Sequence, residues 1–65
     1  MKSQPLAEFD IFERVDGELV WRASVPGREA ALDRAKLLAA DSQNQFILMY
    51  LATNELIATL NAFPE

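Results

Sequence analysis

The chain of 65 residues has no cysteine and no histidine. The first absence excludes disulfides and thiol chemistry, and the two together remove the most common general base and the soft metal ligands. No run approaches the roughly 20 apolar residues that a membrane span needs. Glycine is also scarce, with two residues, while just over half of the chain is apolar, a composition typical of a folded globule. We therefore expect a single domain over residues 1–65, with loose ends at 1–7 and 62–65.

Basic residues are outnumbered by acidic ones, six to ten, so the net charge is −4. A protein of this charge repels phosphate backbones unless its basic residues cluster on one face, and here most of them have an acidic neighbour. The sequence therefore predicts no nucleic-acid partner. Near the start, Pro5, Glu8 and Asp10 interrupt the apolar core that a signal peptide requires. We expect the protein to be cytoplasmic and not to associate with membranes.

Residues 9–25 contain two runs of strand-type residues on either side of a turn at residues 15–17. A two-residue turn at Asp16 and Gly17 would set Ile11 opposite Arg22 and mix polar with apolar residues on both faces. A three-residue loop, with Gly17 in the left-handed conformation of a bulge, gives one apolar face and places opposite charges across the other. We predict this second register, which pairs Phe9 with Ala23, Ile11 with Trp21, Asp10 with Arg22 and Arg14 with Glu18.

Residues 28–41 follow the strand-ending pair Pro26-Gly27 and are rich in strong helix formers. Their apolar residues recur at helical spacing, which predicts a helix with one stripe against a sheet. The small side chains in this stripe allow a close approach. The stripe consists of Ala31, Leu32, Ala35, Leu38 and Ala39.

Residues 45–51 and 56–60 are two further apolar runs, separated by a short connection. We predict a second hairpin in which Asn54 takes the left-handed position of a three-residue loop. A helix from Thr53 to Asn61 is the alternative that such short apolar runs leave open. The predicted pairs are Phe46 with Leu60, Leu48 with Ala58 and Tyr50 with Leu56.

Together these elements predict an α+β fold of order ββαββ, with a four-stranded, mainly antiparallel sheet and one helix packed on one face. The strand residues expected in the core are Phe9, Ile11, Leu19, Trp21, Phe46, Leu48, Tyr50, Leu56 and Leu60. The other face keeps five apolar residues that no second helix covers, which are Phe12, Val20, Ile47, Met49 and Ile57. We take these five as candidate protein-interface residues, because an exposed apolar patch is typical of an interface. Two alternatives stay open: one strand is out of register, or the C-terminal segment folds over the sheet.

A set of hairpin and core positions carries a resemblance to known proteins. The positions are Phe9-Asp10-Ile11-Phe12, Asp16-Gly17, Val20-Trp21, Val25, Gly27, Glu29-Ala30, Leu38-Ala39 and Phe46. In these the chain resembles a class of short uncharacterised bacterial proteins over residues 9–60, which implies the ββαββ fold and no assigned active site. The chain is more weakly similar to small antitoxins of the HicB type, which also show Asp-Gly, then Pro-Gly, then a helix with Glu-Ala. It departs from them because it lacks a recognisable DNA-binding extension.

Catalysis would have to depend on carboxylates, since the other common catalytic groups are missing. Asp10 and Glu18 have arginine partners in the predicted register, and Asp16 suits a turn. Neither Ser24 nor Ser42 has a base nearby in sequence, and the chain has no calcium or phosphate-binding motif. We therefore expect no enzyme activity, no catalytic residue, no metal and no cofactor.

Two functions fit these observations. The first is a non-enzymatic protein-interaction module that self-associates as a homodimer through the uncovered sheet face. The second is an acidic inhibitor or antitoxin-like protein that covers a basic protein partner; it would use Glu8, Asp10, Glu13, Asp16 and Glu18. A third interpretation is an RNA-binding sheet face, with Phe12 flanked by Arg14 and Arg22.

Overall fold

Over residues 7–61 the molecule is a four-stranded sheet with one helix on one side. A computed structural model describes residues 7–61, and the elements in chain order are β1 (Glu8–Val15), β2 (Glu18–Pro26), α1 (Arg28–Ala40), β3 (Phe46–Tyr50) and β4 (Glu55–Leu60). All three strand pairings are antiparallel, and the spatial order is β2-β1-β3-β4. The predicted α+β fold of order ββαββ is confirmed. The alternative helix over residues 53–61 is wrong, because β4 lies there.

The predicted loose ends at 1–7 and 62–65 lie outside the described residues, with the exception of Ala7. The carbonyl oxygen of Ala7 accepts a hydrogen bond of 2.7 Å from the N–H of Gly27. This bond lies just beyond the last paired residues of the β1–β2 ladder, Glu8 and Pro26. It ties the start of β1 to the residue that precedes α1.

The first hairpin uses a two-residue turn, so the predicted three-residue loop is wrong. Asp16 and Gly17 have φ angles of 53° and 85°, and two adjacent residues with positive φ define a type I′ turn. This turn twists in the same sense as the strands that it joins. The turn therefore fits the twist of the sheet. In the observed register the predicted charge pairs, Asp10 with Arg22 and Arg14 with Glu18, do not form. The pairs next to the turn are Val15 with Glu18, Arg14 with Leu19, Glu13 with Val20 and Phe12 with Trp21.

A bulge in β2 shifts the pairing by one residue. Beyond the bulge, away from the turn, the paired residues on the helix side are apolar. Arg22 is the extra residue, since Phe12 lies opposite Trp21 while Ile11 lies opposite Ala23. A continuous ladder would have set Ile11 against Arg22. The bulge removes that mismatch and allows the two-residue turn and an apolar core to coexist.

The second hairpin forms as predicted at its far end and differs near its turn. Phe46 pairs with Leu60 and Leu48 with Ala58, as predicted, but Tyr50 lies opposite Glu55 and not opposite Leu56. A bulge at Ile57 causes the difference, because it inserts one extra residue between these pairs. Asn54 has the predicted left-handed conformation, with a φ of 57°. The predicted three-residue loop is wrong, because the last pair, Tyr50 with Glu55, leaves a loop of four residues at 51–54.

The core lies between α1 and the two central strands. The predicted helix stripe is confirmed: Ala31, Ala35 and Ala39 are buried, and Leu32 and Leu38 pack at its margins. All three buried helix residues are alanines, so the helix lies close to the sheet and the large core side chains come from the strands. These strand residues are Phe9, Ile11, Phe46 and Leu48.

Candidate protein-interaction face

The side of the sheet turned away from α1, here called the open face, carries six apolar side chains. Side chains alternate along a strand and paired residues share a face, so the residues paired with Asp10, Phe12 and Arg14 of β1 lie on this side. Over residues 7–61 no helix or further strand covers it. The six apolar residues are Phe12, Leu19, Trp21, Ile47, Met49 and Leu56.

Exposure is highest at the margins of the open face. Trp21 on β2 is 56% exposed and Leu56 on β4 is 59% exposed. Towards the middle, Phe12 and Met49 are half-buried and Ile47 is buried between its neighbours. The open face is therefore a continuous apolar band that crosses all four strands.

Three of the five predicted interface residues, Phe12, Ile47 and Met49, lie on the open face. The placement of Val20 there is wrong, because Val20 pairs with Glu13 on the helix side. A change of one residue in register exchanges the two faces of a strand, and the two-residue turn makes this change. The placement of Ile57 is also wrong, since the bulge directs it to the core cluster.

The same changes bring three predicted core residues to the open face. Leu19 and Trp21 lie before the bulge of β2 and are turned over by the shifted register, while Leu56 pairs with Met49. Tyr50 keeps its predicted place against the core, with its ring centroid 5.4 Å from that of Phe9. The largest aromatic side chain of the protein is thus on the outside.

One end of the open face carries a carboxylate held by β2. The Nε1–H of Trp21 donates to Oδ1 of Asp10 at 3.3 Å, and the hydroxyl of Ser24 donates to the same oxygen. The second oxygen, Oδ2, has no hydrogen-bond partner in the described part of the chain. The predicted pairing of Asp10 with Arg22 is wrong, and the bond to Ser24 was not visible in the sequence because it depends on the bulge.

The other end of the open face carries a guanidinium group. Nε of Arg14 donates to Oε1 of Gln45 at 3.0 Å, and the main-chain N–H of Arg14 donates to the carbonyl of Gln45 at 2.8 Å. Between Ala7 and Asn61 neither Arg14 nor Asp10 has a partner of opposite charge, the one ion pair being that of Arg22 with Glu13. On β1 the apolar band is therefore flanked by Asp10, with Glu8 beyond it, at one end and by Arg14 at the other, and none of these charges is in an ion pair within this range.

A second polar cluster lies on the helix side, around the buried carboxylate of Glu13, which is 8% exposed. Oε1 accepts from Nε of Arg22 at 2.8 Å, and Oε2 accepts from the Ser42 hydroxyl at 2.9 Å and from Nδ2 of Asn44 at 2.8 Å. These bonds, those of Asn44 and Ser42 above all, hold the pKa of Glu13 below its usual value against the opposing effect of burial. The cluster fixes the connection between α1 and β3 to the sheet.

The five carboxylates of the predicted acidic surface do not lie together. Glu8 and Asp10 are on the open face, whereas Glu13 is buried on the helix side and bound by Arg22. Because Arg22 faces the helix side, the predicted RNA-binding set is also divided, and only Phe12 and Arg14 share the open face. The fold therefore does not bring together the residues expected for an acidic inhibitor, nor those expected for an RNA-binding face.

The described residues offer no further chemical centre. Within 7–61 there is no group of three or more carboxylates close enough to hold a metal ion. In the same range, α1 is the single helix, and its 13 residues are too few and too polar to cross a membrane.

Comparison of the chain with protein-family models, with curated proteins and with solved structures gave no match. The resemblances to short bacterial proteins and to HicB-type antitoxins therefore stay predictions, and a function has to be argued from the open face itself.

Proposed function

We propose that this protein is a non-enzymatic protein-interaction module that forms a homodimer through its open face. The observation that carries the proposal is the position of its large side chains: Trp21 and Leu56 are more than half exposed on the same sheet face, while the helix fills the core with alanines. Burial of apolar surface is the main driving force of protein association. A contiguous apolar band on one face is typical of an interface.

A second copy of the chain is the occupant that suits this surface best. A domain of this size buries only about 60% of the surface of its unfolded chain, so self-association adds burial that the monomer lacks. An apolar sheet face is commonly covered by a second sheet about 10 Å away. A second copy supplies such a sheet, with an apolar band of the same width.

Solution mass tests the proposal, with acidic substitutions on and off the open face. Met49→Glu lies in the middle of the band and Leu56→Glu at its margin; Leu37→Glu is the matched control, because Leu37 is 68% exposed on α1. We expect a dimer for the unchanged protein and for Leu37→Glu in sedimentation equilibrium. We expect a monomer for Met49→Glu and a weakened dimer for Leu56→Glu, both with an unchanged circular dichroism spectrum.

The single tryptophan of the chain gives an independent readout. Trp21 leaves water when two open faces meet, so its emission should move to shorter wavelength as the protein concentration rises. A monomeric mass at all concentrations, or folded Met49→Glu and Leu56→Glu variants that stay dimeric, would contradict the proposal. Quenching of Trp21 by a single-stranded RNA at physiological salt would favour base stacking on Phe12 and Trp21 instead.

The cytoplasmic location predicted from the sequence belongs to the same proposal. Fractionation of cells that produce the protein tests it directly, with a cytoplasmic and a membrane marker followed in parallel.

A further inference from the structure

We infer that the two copies are related by a two-fold axis that runs across the strands at Phe12, so that Asp10 of each copy meets Arg14 of the other. The inference rests on the proposed function, because it requires that the open faces meet. It starts from three alternate residues of β1, Asp10, Phe12 and Arg14, which share the open face. The two charged residues are four positions apart, about 13 Å along an extended strand, with the aromatic ring midway.

The apolar residues define the direction of the axis. Trp21, Phe12 and Ile47 lie side by side on three neighbouring strands, since Phe12 pairs with both of the others. A two-fold axis along this row, midway between the two sheets, sets each of the three side chains against its own copy. An interface of this kind is self-complementary, as two-fold symmetry requires.

The same axis matches the charges. It reverses the strand direction, so the position two residues before Phe12 in one copy lies over the position two residues after Phe12 in the other. Asp10 thus meets Arg14 on both sides of Phe12, while Glu8 lies further out, opposite the turn of the other copy. The alternative axis through the same Phe12, parallel to the strands, keeps their direction and would bring Asp10 against Asp10 and Arg14 against Arg14. Like charges in contact disfavour that arrangement.

Asp10 and Arg14 are long enough to contact each other across the two sheets, and both have atoms that are available to form hydrogen bonds. Face-to-face sheets cross at about 30°, which displaces the two β1 strands by about 3 Å at the distance of Asp10 from the axis, well within the span of an arginine. Oδ2 of Asp10 is free of hydrogen bonds over residues 7–61. Arg14 uses Nε for Gln45, which leaves its terminal nitrogens to bind the partner's carboxylate.

Charge reversal tests the axis through a mixture of two variants. Asp10→Arg gives a chain with two arginines on β1, and Arg14→Asp gives one with two aspartates, so each variant alone meets like charges at both ends. We expect the dissociation constant of either variant to rise at least about tenfold. An equimolar mixture restores opposite charges at both contacts, so we expect a heterodimer as strong as the unchanged dimer.

The double variant Asp10→Arg/Arg14→Asp is the control, because it also lacks the hydrogen bonds of Asp10 with Trp21 and Ser24 but keeps opposite charges at the two positions. We expect it to form a homodimer. An axis parallel to the strands would also bring opposite charges together in the mixture, so the comparison with the unchanged protein decides between the two axes. If the unchanged protein is dimeric but a single variant dimerises as tightly, or the mixture is much tighter than the unchanged dimer, or no heterodimer forms, the crosswise axis is wrong and the open-face dimer stands. If the unchanged protein is monomeric in the same instrument, the proposed function fails, and the axis with it.

Discussion

Replacing Ile11 by alanine should lower the free energy of unfolding by about 4 kcal/mol. Ile11 is 0% exposed and lies between Ala23 and Leu48 in the sheet. The substitution removes three carbon atoms, whose burial is worth about 2.4 kcal/mol at about 0.8 kcal/mol each. The helix residues above this position are alanines, which have no longer side chain to move into the space. A remaining cavity of roughly 80 Å³ then adds about 2 kcal/mol.

Urea denaturation followed by circular dichroism measures this change. A domain of this length has a total stability of about 3–10 kcal/mol, so the alanine variant would lose much of it. Ile11→Val, which should cost about 1 kcal/mol, gives a second point on the same scale. Leu56→Ala is the control on the open face. All variants have to be compared at a concentration at which the protein is monomeric, because association adds to the apparent stability.

A loss below about 1.5 kcal/mol for Ile11→Ala would refute this reasoning, since the lower end of such core truncations is about 2 kcal/mol. An equal loss for Leu56→Ala would refute it too. Either result would mean that the helix does not hold the sheet at the alanine stripe.

Two further predictions concern the polar contacts on the helix side. Because the pKa of Glu13 is lowered in the folded protein, its contribution to stability is full above its ordinary pKa of about 4.5 and declines as the pH falls below that value. The Glu13→Gln variant should therefore be less stable at pH 7, and the gap in urea midpoint should narrow by pH 3.5; a gap that does not change with pH would contradict this. The side-chain amide of Asn61 donates to the carbonyls of Ala39 at 2.8 Å and Ser42 at 2.9 Å. Asn61→Ala should lower the thermal midpoint, with a loss of about 1–2 kcal/mol, and Asn61→Asp, which keeps the size but lacks the donor, should do the same; full stability of either variant would show that water replaces these bonds.

The order of the elements could be predicted because each element depends on signals close to it in sequence. Pro26-Gly27 ends β2 where predicted, the alanine stripe gives α1, and Asn54 takes the left-handed position in the second turn. Each of these signals acts through the conformational preference of a few neighbouring residues. The strand boundaries consequently agree with the prediction to within a residue or two.

The faces of β2 could not be predicted in the same way. In an uninterrupted ladder, charge pairing favours the three-residue loop, whereas the molecule combines a two-residue turn with a bulge at Arg22. Neither composition nor alternation shows where an extra residue lies, and that residue decides which side chains are outside. For this reason the sequence alone predicts Trp21 in the core and Val20 on the open face, and both predictions are wrong.

The polar contacts of the helix side were also beyond the sequence. Glu13 is bonded by Ser42 and Asn44, which follow the helix, and Asn61 reaches back to its last turn. These partners are far apart in sequence and meet only in the complete fold. Serine and asparagine are also common in loops, so their presence does not indicate a particular contact. A local pattern therefore contains no signal for them.

The extra residue in β2 also has a consequence for the evolution of the chain. Trp21 and Ala23 already point to opposite sides, so a relative without Arg22 would keep both on the sides that they occupy here. A deletion beside the turn would instead turn Leu19 or Trp21 inward. We expect lineages to gain or lose a residue in this hairpin at the position of Arg22. Glu13 can stay in place when Arg22 is lost, because Ser42 and Asn44 still donate hydrogen bonds to it.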